Sequence, residues 1–188
     1  MQGIIVENIS NLYKIEYKGT IYNASARGKI KNTDFSPVVG DKVEFIISSD
    51  LDKTAVIEEI LERDNYIKRP KLANISQLVL VVSSKDPKPD ILMLDKQLAF
   101  AEFLRINTLI VLNKIDLDKN EQFKEIKKVY TKIGYKVVIT DAKSGVGIDE
   151  LKENLKNKIS AFSGNSGVGK SSLTNQIFKR EVTRRRWN

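Results

Sequence analysis

Two short stretches carry residue types and spacings that can do chemistry. Gly164-Asn165-Ser166-Gly167-Val168-Gly169-Lys170-Ser171 fits G-x-x-x-x-G-K-S without a mismatch. It stands between an apolar run of strand length and Ser172–Phe178, a segment that can be helical, and this is the context in which the pattern cradles phosphate rather than forming a glycine-rich turn that binds nothing. Glycines let backbone N–H groups converge on a β-phosphate, and the start of a helix adds partial positive charge. Lys170, the candidate catalytic side chain, reaches β and γ oxygens, and Ser171 offers its hydroxyl to Mg2+. Ser172 completes the candidate phosphate-binding set.

Asn113-Lys114-Ile115-Asp116 ends a second apolar run. Alone, N-K-x-D is weak, because a charged turn after a strand is ordinary. Joined to a phosphate loop in the same sheet it becomes specific. A carboxylate can accept from both N1–H and the exocyclic amine of guanine, a donor pair that adenine lacks. Asp116 is then the residue that selects guanine, Asn113 bridges toward the phosphate loop, and the stem of Lys114 lies on the base.

These stretches need a frame, and the apolar pattern supplies one. Gln77–Val82 and Thr108–Leu112 are continuous apolar runs, as in strands covered on both faces. Lys136–Thr140 and Ser160–Ser163 read as further strands. Between them, Leu94, Leu98, Ala101 and Leu104 recur at helical spacing, as do Phe123, Ile126, Val129 and Ile133, and then Ile148, Leu151, Leu155 and Ile159. Alternation of strand and helix predicts a parallel α/β sheet from about residue 73. Before it, Ile4–Val6, Leu12–Tyr17, Thr20–Tyr22, Lys42–Ile47 and Thr54–Ile57 are short, alternating and broken by turn signals, which predicts a small five-stranded barrel. The boundary is placed near 68–73, giving domains 1–70 and 73–188.

Composition excludes several chemistries. With no Cys and no His, this chain can form no disulfide, no zinc site and no histidine general base. Any metal is a hard, oxygen-bound one such as Mg2+. No segment approaches about 18 uninterrupted apolar residues and no leader pattern opens the chain, so a soluble, cytoplasmic protein without membrane contact is expected. The net charge of +8 is unevenly spread: residues 1–72 balance 11 cations with 11 carboxylates, whereas residues 164–188 hold six cations against one. Much of the excess is a C-terminal run, Arg184 to Arg186, that reads as a solvated tail.

The order of the motifs is informative. N-K-I-D at 113 precedes the phosphate loop at 164, the reverse of an ordinary GTPase, and both follow a small β-barrel. This arrangement resembles the circularly permuted ribosome-assembly GTPases that depend on the small ribosomal subunit. Local matches extend the resemblance over residues 1 to about 178: Ala26-Arg27-Gly28-Lys29, Val39-Gly40-Asp41-Lys42-Val43, Arg63 to Pro70, and Ala73-Asn74-Ile75-Ser76-Gln77. It implies an OB-like barrel that docks on ribosomal RNA, followed by a circularly permuted P-loop GTPase domain binding GTP or GDP with Mg2+, and a role in maturing the decoding region. Thr140-Asp141-Ala142-Lys143 resembles the S-A-K element, whose Ala N–H contacts the guanine oxygen. Asp141 replaces the usual Ser, and the stretch also reads as a plain polar loop.

Past Phe178 the family continues through switch I, a D-x-P-G switch II and a zinc-binding domain. Residues 179–188 do not align with these, so the resemblance implies a truncated, incomplete GTPase domain with hydrolysis at background. It also implies that Ser160–Ser163 forms a sheet edge, in the order 160–163, 77–82, 108–112, 136–140. Two basic clusters can serve RNA, Arg27/Lys29/Lys31 and Lys68/Arg69/Lys71, with Tyr13, Tyr17 and Tyr22 available for stacking. Solvated loop charge and ordinary strand aromatics explain the same residues. Three functional readings follow: a guanine-nucleotide-dependent assembly factor of the small subunit, a non-hydrolysing fragment that keeps RNA and weak nucleotide binding, and an unrelated ATP-using P-loop protein.

Overall fold

The computed structural model describes residues 1–31 and 36–185; the side chains of Lys29, Lys31 and residues 179–185 lie outside the description. The expectations placed on Lys29, Lys31 and Arg184 to Arg186 therefore fall outside the described residues. Two compact units result, Met1–Ile75 and Ser76–Asn188.

In the first unit, β1 (Gln2–Ile9), β2 (Leu12–Tyr17), β3 (Thr20–Ala26), β4 (Lys42–Ser49) and β5 (Thr54–Ile60) close into a barrel in the order β1-β2-β3-β5-β4. Neighbours are antiparallel except β3 with β5, which run parallel. The β1–β2 turn puts Ser10 and Asn11 at positive φ, and the β2–β3 turn does the same with Lys18 and Gly19. Two consecutive positive-φ residues match the right-handed twist of a hairpin. A one-turn helix, α1 (Gly28–Lys31), follows β3.

Period-2 alternation sends Ile5, Tyr13, Ile15, Tyr22, Val43, Phe45 and Ile57 inward as the core. The stacking role weighed for Tyr13 and Tyr22 is thereby corrected. Tyr13 and Tyr22 are 2% and 6% exposed, because each shares the inward face of its strand with Ile15 or Ala24. Tyr17 packs edge-on against Phe45, with ring centroids 5.5 Å apart.

A hairpin of β6 (Tyr66–Lys68) and β7 (Lys71–Ala73), which the strand pattern did not foretell, belongs to this unit. Leu72 bridges Val39, and Ala73 N–H donates to the Val39 carbonyl at 2.9 Å. The unit therefore ends later than the composition break. Asp41, fully buried, accepts from Arg63 Nε at 2.7 Å and Nη2 at 2.8 Å, and Arg63 lies over the Tyr66 ring at 4.7 Å. Asn74 Nδ2 donates to the Gly40 carbonyl at 2.9 Å. Several short motifs that carry the family resemblance are thus the brace between hairpin and barrel.

The second unit is a four-stranded parallel sheet in the order β10 (Lys136–Thr140), β9 (Asn107–Asn113), β8 (Gln77–Ser83), β11 (Ser160–Ser163), matching the expected order. Every residue of β8 is buried, as a strand covered on both faces requires, while all four of β11 are half-buried. Helices α2 (Ile91–Phe103), α3 (Gln122–Lys132), α4 (Ile148–Leu155) and α5 (Lys170–Arg185) complete the unit. No helix among the described residues is long and apolar enough to cross a membrane.

Three helical expectations need correction. On α3 the buried pair is Phe123 and Tyr130, seven residues apart on one face, whereas Val129 and Ile133 lie at the stripe's border and are mostly exposed. Leu104 is the cap of α2 rather than a member. Ile159 lies beyond α4, where its carbonyl accepts from Ser76 and Gln77 N–H and starts the β11–β8 pairing.

Candidate functional site

Because all four strands are parallel, the loops that leave their C-terminal ends share one edge, where open α/β sheets place ligands. Register aligns Ser83, Asn113 and Thr140 in one row. β11 stops at Ser163, level with Leu80, so the loop 164–169 starts below that row and rises past it. Gln97 Nε2 donates to Ser163 Oγ at 2.9 Å and fixes its exit.

Two glycines have no substitute here. At Gly164, with φ +141°, a Cβ would stand 2.3 Å from the Val81 carbonyl oxygen. At Gly169, with φ +100°, it would stand 2.2 Å from Asn113 Nδ2. Both conformations and both approaches exclude a side chain. The loop curls around its own lysine: Lys170 Nζ donates to the carbonyls of Gly164 at 2.7 Å and Asn165 at 2.8 Å. Lys170 also opens α5, Val168 is buried beneath the loop, and Ser166, Gly167, Ser171 and Ser172 are exposed.

Asn113 joins the loops. It is 1% exposed, its Nδ2 donates to the Val168 carbonyl at 2.9 Å, and its Oδ1 accepts from Thr140 Oγ1 at 3.0 Å and Ala142 N–H at 3.3 Å. The buried amide thus makes three of the four hydrogen bonds open to it, with both lone pairs of Oδ1 in use. Lys114 takes a left-handed conformation at φ +67°, and its Nζ donates to the Lys85 carbonyl at 3.3 Å and to that of Asp86. Asp116 sits in a 3-10 turn, Ile115–Leu117, with an exposed carboxylate that makes no hydrogen bond among the described residues.

Asp141, the departure from the S-A-K pattern, serves its own turn. Its carboxylate accepts from Lys143 N–H at 2.9 Å and Ser144 N–H at 3.1 Å, an Asx turn that a shorter Ser could make only in part. Burial raises its pKa, but the bonds from Ser144 and Lys143 outweigh burial and hold it below the ordinary carboxylate value. Ala142 is buried and Lys143 exposed.

Sequence reasoning missed a third wall, the β8–α2 loop. Ser84 Oγ donates to the Lys114 carbonyl at 2.6 Å, Ser83 Oγ to that of Pro87 at 2.6 Å, and Asn165 Nδ2 to Asp90 Oδ2 at 3.4 Å. Asp90 also caps α2 by accepting from Met93 N–H at 2.9 Å. Two serines directly after a buried strand, at the edge that carries N-K-I-D, were the available signal.

The residues present fit a nucleotide phosphate and its Mg2+. The cradle is one that a Cβ at either glycine would fill, and Ser171 supplies an exposed hydroxyl at the start of a helix. No cluster of three or more carboxylates among the described residues could hold a cation alone. Ser171 would hold Mg2+ together with the phosphates it accompanies, the usual manner for this ion.

Comparison with known proteins agrees with this arrangement. The profile of the RsgA GTPase matches residues 60–186, and that of the RsgA N-terminal domain matches residues 2–57. A small ribosomal subunit biogenesis GTPase RsgA of Caldanaerobacter subterraneus is 41% identical over 177 residues, 94% of this chain and 59% of that protein. The protein of the same description from Clostridium novyi is 39% identical over 182 residues, 97% of this chain and 62% of its own length. Among solved structures, YjeQ from Thermotoga maritima superposes with a TM-score of 0.82 at 39% identity, covering 94% of this chain and 64% of that one. YloQ, described as a circularly permuted GTPase, gives 0.77 at 31% identity, with coverages of 93% and 63%. The chain spans about three-fifths of the length of the curated relatives it matches.

Proposed function

This chain belongs to the RsgA GTPase family, and on that premise we propose that it binds GDP and GTP with Mg2+ and acts in late maturation of the small ribosomal subunit, docking on its RNA in the cytoplasm. The observation that carries the nucleotide reading is the Asn113 bridge, one buried side chain that ties the phosphate loop to the loops after β9 and β10. Gly164 to Ser172 surround the phosphates, Lys170 neutralises them, and Ser171 takes Mg2+. Asp116 accepts from the guanine edge, and Lys114 lies along the base.

The Ala142 N–H reads the guanine oxygen. Its 3.3 Å bond to Asn113 is the longest of the three Asn113 makes, and Asn113 Oδ1 keeps Thr140 when that N–H changes partner. Lys143 flanks the base from the same turn. For RNA, Lys68, Arg69 and Lys71 at the tip of the braced β6–β7 hairpin are exposed and form no ion pair among the described residues, which supports a phosphate-backbone contact. Arg27 is engaged with Glu58 at 2.8 Å and is less available.

Competition of GDP and ADP for the purified chain tests the base reading: GDP displaces a fluorescent guanine nucleotide and ADP does not. Equal displacement would leave only a generic P-loop. Small-subunit RNA binding that weakens with salt, and weakens further when Lys68, Arg69 and Lys71 are replaced by Ala, is the outcome expected for docking.

A further inference from the structure

One side chain outside every motif reaches the guanine-facing loop. Gln176 lies on α5, six residues after Lys170, and its Nε2 donates to the Ala142 carbonyl at 2.7 Å. The peptide that follows Ala142 is thereby held at both ends, since its N–H, on Lys143, donates to Asp141 Oδ1 at 2.9 Å. On the other side of Ala142, Asp141 N–H donates to the Val146 carbonyl at 3.0 Å, and the Asp141 carbonyl accepts from Gly145 N–H at 2.9 Å. Every link around Ala142 except the Gln176 bond and its own N–H bond to Asn113 is made within the turn. Of these two outside links, Gln176 is the one that stays in place when the Ala142 N–H turns from Asn113 to the base, and it comes from the helix that starts at the phosphate loop.

We infer that Gln176 is a positioning residue for base recognition: by gripping the Ala142 carbonyl it aims the Ala142 N–H at the guanine 6-oxygen. The inference rests on the nucleotide reading proposed above and adds a residue that the sequence motifs do not contain. A side chain six positions along the phosphate-loop helix also links the two ends of the nucleotide through one rigid element. Asp116, in a different loop, reads the N1–H and 2-amino edge, so the two contacts report on different atoms of the base.

That separation supplies the test. GDP, inosine diphosphate and 6-thio-GDP are titrated into the 188-residue chain and into Gln176→Met, which keeps the length of the side chain and removes its donor. Inosine diphosphate lacks the 2-amino group read by Asp116, and 6-thio-GDP has a poorer acceptor at position 6. For Gln176→Met the dissociation constant for GDP rises about three- to tenfold, as expected for one net hydrogen bond. The preference for GDP over 6-thio-GDP falls toward parity, and the preference for GDP over inosine diphosphate stays as in the unaltered chain. Gln176→Glu, which sets a carboxylate against a carbonyl, shows the same pattern with a larger loss.

A general loosening of the unit would reduce both preferences together, and that result overturns the inference. Unchanged GDP affinity and unchanged 6-thio discrimination in both variants overturn it as well. If the unaltered chain fails to prefer GDP over ADP, the nucleotide reading itself is wrong and Gln176 loses its role with it.

Discussion

The barrel and the β11 edge of the sheet are held by different means. Each barrel strand has a neighbour on both sides, and its interior is filled by Tyr13, Ile15, Phe45 and Ile57, all at 2% exposure or less. The sheet ends at β11, whose four residues are half-buried, and that strand must carry the phosphate loop. There the holding forces are specific hydrogen bonds: Gln97 to Ser163, the Gln77 amide to Ser160 Oγ at 3.1 Å, Asn113 to Val168, and Lys170 to its own loop. Apolar burial gives stability without direction, whereas hydrogen bonds give direction for modest net stability. The candidate site sits where direction matters.

The largest expected effect attacks the barrel. Phe45→Ala removes a fully buried ring and should cost about 3–5 kcal/mol, read from denaturant unfolding followed by barrel tyrosine fluorescence. GDP binding at the sheet should persist; loss of both together would erase the distinction between the units. Asp116→Asn is the complementary change. Two charge-assisted hydrogen bonds of about 1.5–3 kcal/mol each are lost, GDP binding weakens by roughly a hundred- to ten-thousandfold, and xanthosine diphosphate gains. The unfolding midpoint should not move, because the Asp116 carboxylate has no partner among the described residues. GDP affinity equal to that of the unaltered chain would remove Asp116 from the site.

Hydrogen exchange sharpens the comparison at backbone level. Residues 159–175 should exchange faster than residues 42–60, since an edge strand and a loop are protected less than paired barrel strands. Equal and strong protection would show that β11 is as secure as the barrel. The smallest effect is set by Asp141. Its folded pKa is held below its ordinary value of 3.8, so its contribution to the 141–146 turn is present above that value and is lost as pH falls through the lower folded pKa. The amide resonances of Lys143 and Ser144 should therefore titrate with a midpoint below pH 3.8. A midpoint at or above it would place the carboxylate outside the turn.

Legibility differed between features for physical reasons. The strand positions followed from apolar run length and alternation, and the phosphate loop from glycine spacing, since these patterns encode local backbone geometry, whereas the sheet order was implied only by the family resemblance. The α3 stripe was misjudged by one turn edge, because Val129 and Tyr130 both fit helical spacing and only packing chose the tyrosine, whose hydroxyl donates to Asp95 at 2.6 Å. The tyrosines of the barrel were weighed as RNA platforms because a strand's alternation marks two faces without naming which is inner. Closure decided that Tyr13 and Tyr22 face Phe45.

By itself, the sequence determined what the local chain can do: glycines at 164 and 169 that admit positive φ, a lysine at 170 that opens a helix, a carboxylate at 116 just past a buried strand, and a chain without thiolate or imidazole. Tertiary structure alone decided which distant groups meet. Asn113 and Val168 are 55 residues apart, and Gln176 and Ala142 are 34 apart. Their hydrogen bonds exist because parallel register brings four strand ends to one edge and sets α5 beside the turn after β10. No local pattern contains that register, since it arises only when strands far apart in sequence bury their apolar faces together.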